Sequence, residues 1–127
     1  MDANKHEIVY KELSYQIISA ALEVHNGLGA GFLEKVYENA LAIKLRKSGL
    51  KAEQQDAVKV KFEGEVVGKY FADILVDDKV ILELKCVKEI VPVHEAQVLN
   101  YLKATNLKLG IIINFNNPKL EYKRIVL

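Results

Sequence analysis

The chain has 127 residues, a formal net charge of +1 and a mean hydropathy of +0.04, values typical of one soluble globular domain. The near-zero charge argues against a protein that coats nucleic acid through a global basic field. The single cysteine, Cys86, excludes an internal disulfide and suits a reducing cytoplasm. The apolar runs are too short to cross a bilayer, and the N-terminal residues contain no apolar signal core. We therefore expect one cytoplasmic domain, residues 1–127, with no membrane association.

Two amphipathic helices are predicted in the first part of the chain. The first should run from about residue 6 to residue 25, on apolar residues that recur at helical spacing: Val9, Leu13, Ile17, Ala20, Ala21 and Val24. The segment NGLGAG, residues 26–31, should end it. The second should run from about Phe32 to Ser48-Gly49, where the glycine is a C-cap signal. Its apolar face is expected to contain Leu33, Val36, Ala40 and Ile43.

The middle of the chain is predicted to form three antiparallel strands. From Ala57 the apolar residues alternate with lysines, which indicates a half-buried strand. A turn at Glu63-Gly64 leads to a second strand over residues 65–76, and a third covers residues 79–87. These three strands should belong to one sheet.

A strand–helix–strand unit is predicted to complete the sheet. Pro92 should open a third helix that reaches about Thr105, because proline is well tolerated in the first turn of a helix. A buried strand over residues 107–114 and a short edge strand over residues 122–127 follow. The predicted fold class is α/β, in the order α-α-β-β-β-α-β-β, with a mixed central sheet flanked by helices. The crossover between its parallel strands should be right-handed.

Three charged residues, Asp73, Glu83 and Lys85, interrupt the apolar hairpin DILVDDKVILELKCV. Glu83 and Lys85 share one face in any register, because side chains alternate along a strand. A three-residue loop at 77–79 would place Asp73 directly opposite Glu83, about 5 Å away, whereas a two-residue loop would send it to the other face. Two adjacent carboxylates repel each other and favour a hard cation such as Mg²⁺ between them. Alternatively, the charges meet solvent on an open face, with Lys85 paired to Glu83.

The spacing Asp73-x9-Glu83-x-Lys85 resembles the signature of the PD-(D/E)XK nuclease superfamily. The resemblance extends beyond these residues, since the segments EVHNGLGAG, PVHEAQVLNYL and LGIIINFN are also similar to one branch of it. It implies a restriction-endonuclease-like core. The implied activity is hydrolysis of phosphodiester bonds in nucleic acid, either DNA or RNA.

The branch is indicated by the segment GFLEKVY, which contains Gly31, Glu34 and Tyr37 and resembles the motif of the GxxExxxY protein family. The resemblance implies that Asp73, Glu83 and Glu34 bind Mg²⁺ or Mn²⁺. It also implies that Lys85 orients the attacking water or stabilises charge on the phosphate. Gln97, on the helix after the third strand, would point at this site.

Other interpretations of the chain stay open at this point. The same fold could serve as a non-cleaving module that binds nucleic acid or a protein, or as a subunit of a homodimer with large exposed apolar patches. His25 is expected to pack or cap at the end of the first helix, and Cys86 to be buried and inert. The glycines of residues 26–31 should turn the chain rather than bind phosphate. Tyr37 and His94 have no assigned role.

Overall fold

A computed structural model describes residues 8–127. The elements are α1 Lys11–Leu28, α2 Glu34–Lys47, β1 Ala52–Phe62, β2 Glu65–Val76, β3 Val80–Lys85, α3 Pro92–Thr105, β4 Leu109–Asn114 and β5 Glu121–Val126. The strands form one five-stranded sheet in the order β1-β2-β3-β4-β5, in which only β3 and β4 are parallel neighbours. The predicted element order and mixed sheet are confirmed. Every helix within residues 8–127 is too short or too polar to span a membrane.

Both faces of the sheet are covered by helices. Helices α1 and α2 pack on one face, where their core includes Val80, Leu82 and Leu84 of β3. Helix α3 covers the other face and packs on Ile81 and Ile112. Alternate residues of β3 therefore enter different cores, as the two-residue period of a strand requires. A strand buried on both faces reads as a nearly continuous apolar run, so the charges that interrupt β3 stand out.

Helix α1 differs from its prediction at both ends. Residues 6 and 7 of the predicted helix lie outside the described residues, and the helix begins only at Lys11, after Tyr10 in a left-handed conformation with φ 49°. At the other end, the helix continues through Gly27 to Leu28. Gly29, with φ 73°, ends it, because glycine adopts this conformation without a Cβ clash. The helix is therefore ended by Gly29, the second glycine of residues 26–31, and not by Gly27.

The predicted apolar face of α2 is wrong at three of its four residues, since only Ala40 packs against the core. Leu33, Val36 and Ile43 are exposed, and the helix begins at Glu34 rather than Phe32. The buried residues of this helix are Tyr37, Glu38, Leu41, Ala42 and Leu45. Two neighbouring apolar stripes both have helical spacing, so periodicity alone does not decide which of them faces the sheet.

The strand boundaries differ from prediction by a few residues. Strand β1 begins at Ala52 rather than Ala57. The prediction missed its start because residues 53–56 are all polar and show no apolar alternation. Strand β3 ends at Lys85, and β4 begins at Leu109 rather than at residue 107. Strand β5 lies at the edge of the sheet, as predicted, and begins at Glu121.

Candidate active site

The hairpin between β2 and β3 has the loop length on which the site prediction depends. Residues 77–79 form the loop, and Val76 pairs with Val80. The regular pairing ends at Ile74 and Leu82, one residue short of Asp73 and Glu83. Of the two loop lengths considered from the sequence, the three-residue loop is the one observed.

The carboxylate of Asp73 lies where the ladder between β2 and β3 stops. Its Oδ2 accepts a hydrogen bond from the Leu84 amide at 2.7 Å, and its Oδ1 accepts one from Gln55 Nε2 at 3.4 Å. Burial raises the pKa of Asp73, and the charges of Glu38 and Glu34 add to the increase, while the Leu84 amide opposes it. The Asp73 side chain thus takes the place of a backbone acceptor at the end of the ladder. Its hydrogen bond with the Leu84 amide holds the carboxylate in position.

Glu83 is the most perturbed acid of this site. Its side chain is buried, and burial followed by the charge of Asp73 raises its pKa from 4.5 to about 8, against the opposing charge of Lys85. Its Oε1 is buried and has no hydrogen-bond partner among the described residues. An isolated buried carboxylate is costly, so this group stays protonated near neutral pH unless a cation compensates its charge.

Glu34 reaches the same end of the sheet from the first turn of α2. Its Oε2 accepts a hydrogen bond from the backbone amide of Cys86 at 3.1 Å, directly after β3. Its charge raises the pKa of both Asp73 and Glu83. Cys86 is only partly buried, which corrects the prediction of a buried thiol, and burial together with Glu34 raises its pKa. The structure therefore brings three of the predicted acids to one end of β3.

The two other predicted site residues differ in their surroundings. Lys85 ends β3, partly exposed, and takes no part in the ion pairs formed among residues 8–127, so a direct Lys85–Glu83 pair is absent there. Its charge still lowers the pKa of Glu83. Gln97 is exposed on α3, and the hydrogen bonds that Asp73 and Glu34 accept come from Gln55, Leu84 and Cys86 instead. The structure therefore does not join Gln97 to the acids.

Tyr101, four residues after Gln97 on α3, is influenced by the charges of the acids. It is buried, and its pKa is raised to about 12 by burial first and then by the charges of Glu83 and Asp73. Its ring contacts the ring of Tyr70 at a centroid distance of 5.0 Å, edge to face. The sequence placed Tyr101 on the same helix stripe as Gln97, but nothing in the spacing separated the two.

The acids fit a hard divalent cation, although they do not form a closed cage. No group of three histidine, cysteine or acidic side chains within residues 8–127 is arranged to hold a metal ion, so the three-ligand set of Asp73, Glu83 and Glu34 is not preformed. Mg²⁺ needs only one or two carboxylates, because it keeps several waters and takes phosphate oxygens as ligands, and Mn²⁺ prefers similar ligands. The unpartnered buried Oε1 of Glu83 is consistent with such an ion.

A second acidic residue of α2, Glu38, was not predicted from the sequence. It is 3% exposed and accepts hydrogen bonds from Lys35 at 2.9 Å, from Gln54 at 2.7 Å and from Gln55 at 2.7 Å. Gln55 Nε2 donates to Asp73 as well, so one amide joins the two carboxylates. Gln55 has φ 54°, which is uncommon for a residue other than glycine, asparagine or aspartate. The sequence signal was the spacing of Glu38 four residues after Glu34, on one helix face.

We expect Gln55→Glu to destabilise the protein at neutral pH by roughly 1–2 kcal/mol, because it replaces a shared donor by a third acceptor. The loss should shrink as the pH falls and the carboxyl groups become protonated. Urea unfolding at several pH values measures this. Gln16→Glu, on the exposed surface of α1, is the matched control, and equal stabilities of the two variants would contradict the bridging role of Gln55.

Tyr37 has a structural role. Its hydroxyl donates to the carbonyl of Gly29 at 2.6 Å and accepts from the amide of Phe32 at 3.2 Å. Its ring stacks on Phe115 at 4.6 Å. Tyr37 thus holds the glycine turn between α1 and α2 against the core, which fixes where α2 begins and where Glu34 is presented.

The two histidines left open also make local contacts. The Nε2 of His25 lies 2.8 Å from the carbonyl oxygen of Asn117, so it joins the end of α1 to the loop before β5. The Nδ1 of His94 accepts the amide of Val91 at 3.2 Å and caps α3. Packing of His25 at the end of the first helix is as predicted.

A family model of the PD-(D/E)XK nuclease superfamily matches residues 11–125. The chain belongs to this superfamily. Its assignment to the GxxExxxY branch is not confirmed: position 38 is Glu, and Tyr37 follows Glu34 by three residues, one fewer than that motif requires. A search among curated proteins finds no match for the chain.

Two solved structures share the fold of this superfamily member. The crystal structure of SSO0001 has 15% sequence identity and a TM-score of 0.56, and the match covers 92% of this chain and 59% of that one. An alkaline exonuclease, LHK-Exo from Laribacter hongkongensis, has 13% identity and a TM-score of 0.53, with 94% of this chain and 72% of that one covered. This chain thus spans 59% of the length of SSO0001.

Proposed function

We propose that the chain is a nuclease that uses Mg²⁺ or Mn²⁺ to hydrolyse phosphodiester bonds in DNA or RNA. The observation that carries the proposal is Glu83, a carboxyl group that is 8% exposed, has a pKa of about 8 and has an unpartnered Oε1. A buried acid next to a second acid is typical of functional sites. Membership of the superfamily supports the same conclusion, as does the fold shared with an alkaline exonuclease.

In this proposal the acids hold the metal ion. Asp73 and Glu83 would hold the ion, with Glu34 as a further acidic group that reaches the site from α2. When bound, the metal ion lowers the pKa of a water and stabilises negative charge on the phosphate. Asp73 is kept in position by the Leu84 amide and Gln55, so its orientation does not depend on the ion.

Lys85 and Gln97 act on the substrate in this proposal. Lys85 is partly exposed and free of ion pairs with the described residues. Its ammonium therefore orients the attacking water or stabilises the charge that develops on the phosphate. Gln97, exposed on α3, contacts bound nucleic acid rather than the metal ion. We further propose that the chain acts in the cytoplasm as one domain, on the grounds of its single cysteine.

A cleavage assay tests the proposal directly. Labelled single- and double-stranded DNA and RNA are incubated with the protein and with Mg²⁺, Mn²⁺ or EDTA. We expect metal-dependent cleavage of at least one substrate, and its loss in the double variant Asp73→Asn/Glu83→Gln. Binding without cleavage in every combination would contradict the nuclease proposal.

We expect divalent metal to raise the melting temperature, because a ligand that binds only the native state stabilises it. The carboxylates of Asp73 and Glu83 are the reason for this expectation. Thermal melts with and without Mg²⁺ or Mn²⁺ measure the shift, with Asp73→Asn/Glu83→Gln as the comparison. A shift of the same size in the double variant would place the ion elsewhere on the protein.

A second candidate function is a module that binds nucleic acid or a protein partner without cutting. The net charge of +1 and the length of 127 residues favour it. A homodimer remains a prediction as well, for which the exposed Leu33, Val36 and Ile43 of the α2 region offer an apolar surface. Sedimentation of the purified protein measures the dimer, and the cleavage assay separates the binder from the enzyme.

A further inference from the structure

We propose that the cleft between the β1–β2 hairpin and α3 binds a single-stranded segment of nucleic acid and directs it to the acidic site. This inference rests on the proposed function and adds to it the form of the substrate and the path of the strand. The cleft is open to solvent and has a volume of about 790 Å³. The residues used below are Lys59, Lys61 and Tyr70 of the hairpin and Lys103 of α3, all of which line it.

The charge of this cleft is positive on a chain that is nearly neutral. Lys59, Lys61 and Lys103 line it, all three are exposed, and no acidic residue is among the residues that line it. None of the three takes part in an ion pair within residues 8–127. A cleft of one charge sign attracts ligands of the opposite sign. A phosphate backbone is such a ligand, and each contact with it releases counterions.

An aromatic side chain in the same cleft indicates unpaired bases. Tyr70 is 47% exposed, while its ring is supported edge to face by the buried Tyr101 at 5.0 Å. Bases of a single strand stack on such rings irrespective of sequence. The bases of a duplex are already stacked on each other and have no free face. Lysines beside a supported, exposed ring therefore fit a single strand better than a duplex.

Strand β2 connects the cleft to the acids. Tyr70 lines the cleft and lies three residues before Asp73 on β2, about 10 Å along a strand. A nucleic-acid strand whose base stacks on Tyr70 therefore lies close to the acids at the end of β3.

Binding is measured by fluorescence anisotropy in EDTA, so that cleavage does not contribute. The probes are a labelled oligothymidine and a labelled duplex of the same length, at several salt concentrations. We expect tighter binding of the single strand. Lys61→Ala/Lys103→Ala should weaken it and reduce the salt slope by roughly 0.7 for each lysine. Tyr70→Leu should weaken it about tenfold through lost stacking, whereas Tyr70→Phe should retain affinity.

Lys47→Ala, on α2 at the other face of the sheet, is the matched control for charge, and circular dichroism checks that each variant is folded. Wild-type affinity and salt slope in both cleft variants would overturn the inference. Tighter binding of the duplex, or equal competition by polyglutamate, would also overturn it. Single-strand binding that depends on the cleft but is never followed by cleavage would support the inference and contradict the nuclease proposal. Cleavage that is unaffected by the cleft variants would support the nuclease proposal and contradict the inference about the cleft.

Discussion

Replacing Glu83 by glutamine should make the metal-free protein more stable than the wild type, by an amount that grows between about pH 5 and pH 8. The pKa of Glu83 is about 8 in the folded protein, against an ordinary value of 4.5. In that window the folded state holds a proton that the unfolded state has lost. The stability that protonated Glu83 contributes is therefore fully present below pH 4.5 and is lost as the pH rises through 8.

The expected size is a few kcal/mol at most, since one pKa unit corresponds to about 1.4 kcal/mol. Glutamine has nearly the same shape and no titratable proton, so it removes this pH dependence. Urea unfolding in EDTA, repeated across the pH range, measures the difference between variant and wild type. The exposed Glu12→Gln on α1 is the control. A constant difference at all pH values would contradict the raised pKa of Glu83.

Lys85→Ala should abolish cleavage while leaving the affinity for nucleic acid and metal nearly unchanged. Its charge matters most where negative charge develops on the phosphate, so the loss appears in turnover rather than in ground-state binding. Removal of one group that stabilises a transition state costs about 10²–10³-fold in rate. Single-turnover cleavage and binding are measured side by side at fixed salt, with Lys88→Ala, exposed in the loop after β3, as control.

The same experiment separates the two candidate functions. If the protein is a non-cleaving binder, Lys85 is only one phosphate contact, and its removal should weaken binding modestly and reduce the salt slope by about one unit. A cleaving wild type whose turnover survives Lys85→Ala would leave the nuclease activity intact and remove Lys85 from the reaction. A comparable loss in Lys88→Ala would indicate a general effect of surface charge.

The order of elements was predictable because it depends on local patterns. The change of apolar period from helical spacing to alternation marks where the strands begin to replace the helices. The alternation of side chains along a strand also showed that the hairpin loop must contain an odd number of residues for Asp73 and Glu83 to share a face. The pairing of Val76 with Val80 gives such a loop, of three residues. Boundaries were less accurate. The start of β1 was missed because its first residues are mostly polar. The end of α1 was missed because Gly27 lies inside the helix, whose packing offsets the cost of about 1 kcal/mol for an internal glycine.

The site was predictable only where its residues are close in sequence. Asp73, Glu83 and Lys85 lie on one hairpin, so their relative positions depend on a single loop. Glu34 was suggested by resemblance alone, and its contact with the Cys86 amide spans 52 residues. No local rule connects α2 to the end of β3, because that distance depends on how the helices pack on the sheet.

By itself, the sequence determined the order of helices and strands and the three charged residues of β2 and β3, since each depends on neighbours in the chain. The tertiary structure alone decided which stripe of α2 is buried, and with it that Glu38 and Gln55 support Asp73. It also decided that the charges of Glu83 and Asp73 act on Tyr101, which the sequence had not assigned to the site. The physical reason is that burial, and the pKa shift of Glu83 that follows from it, depend on all the elements packed around a group.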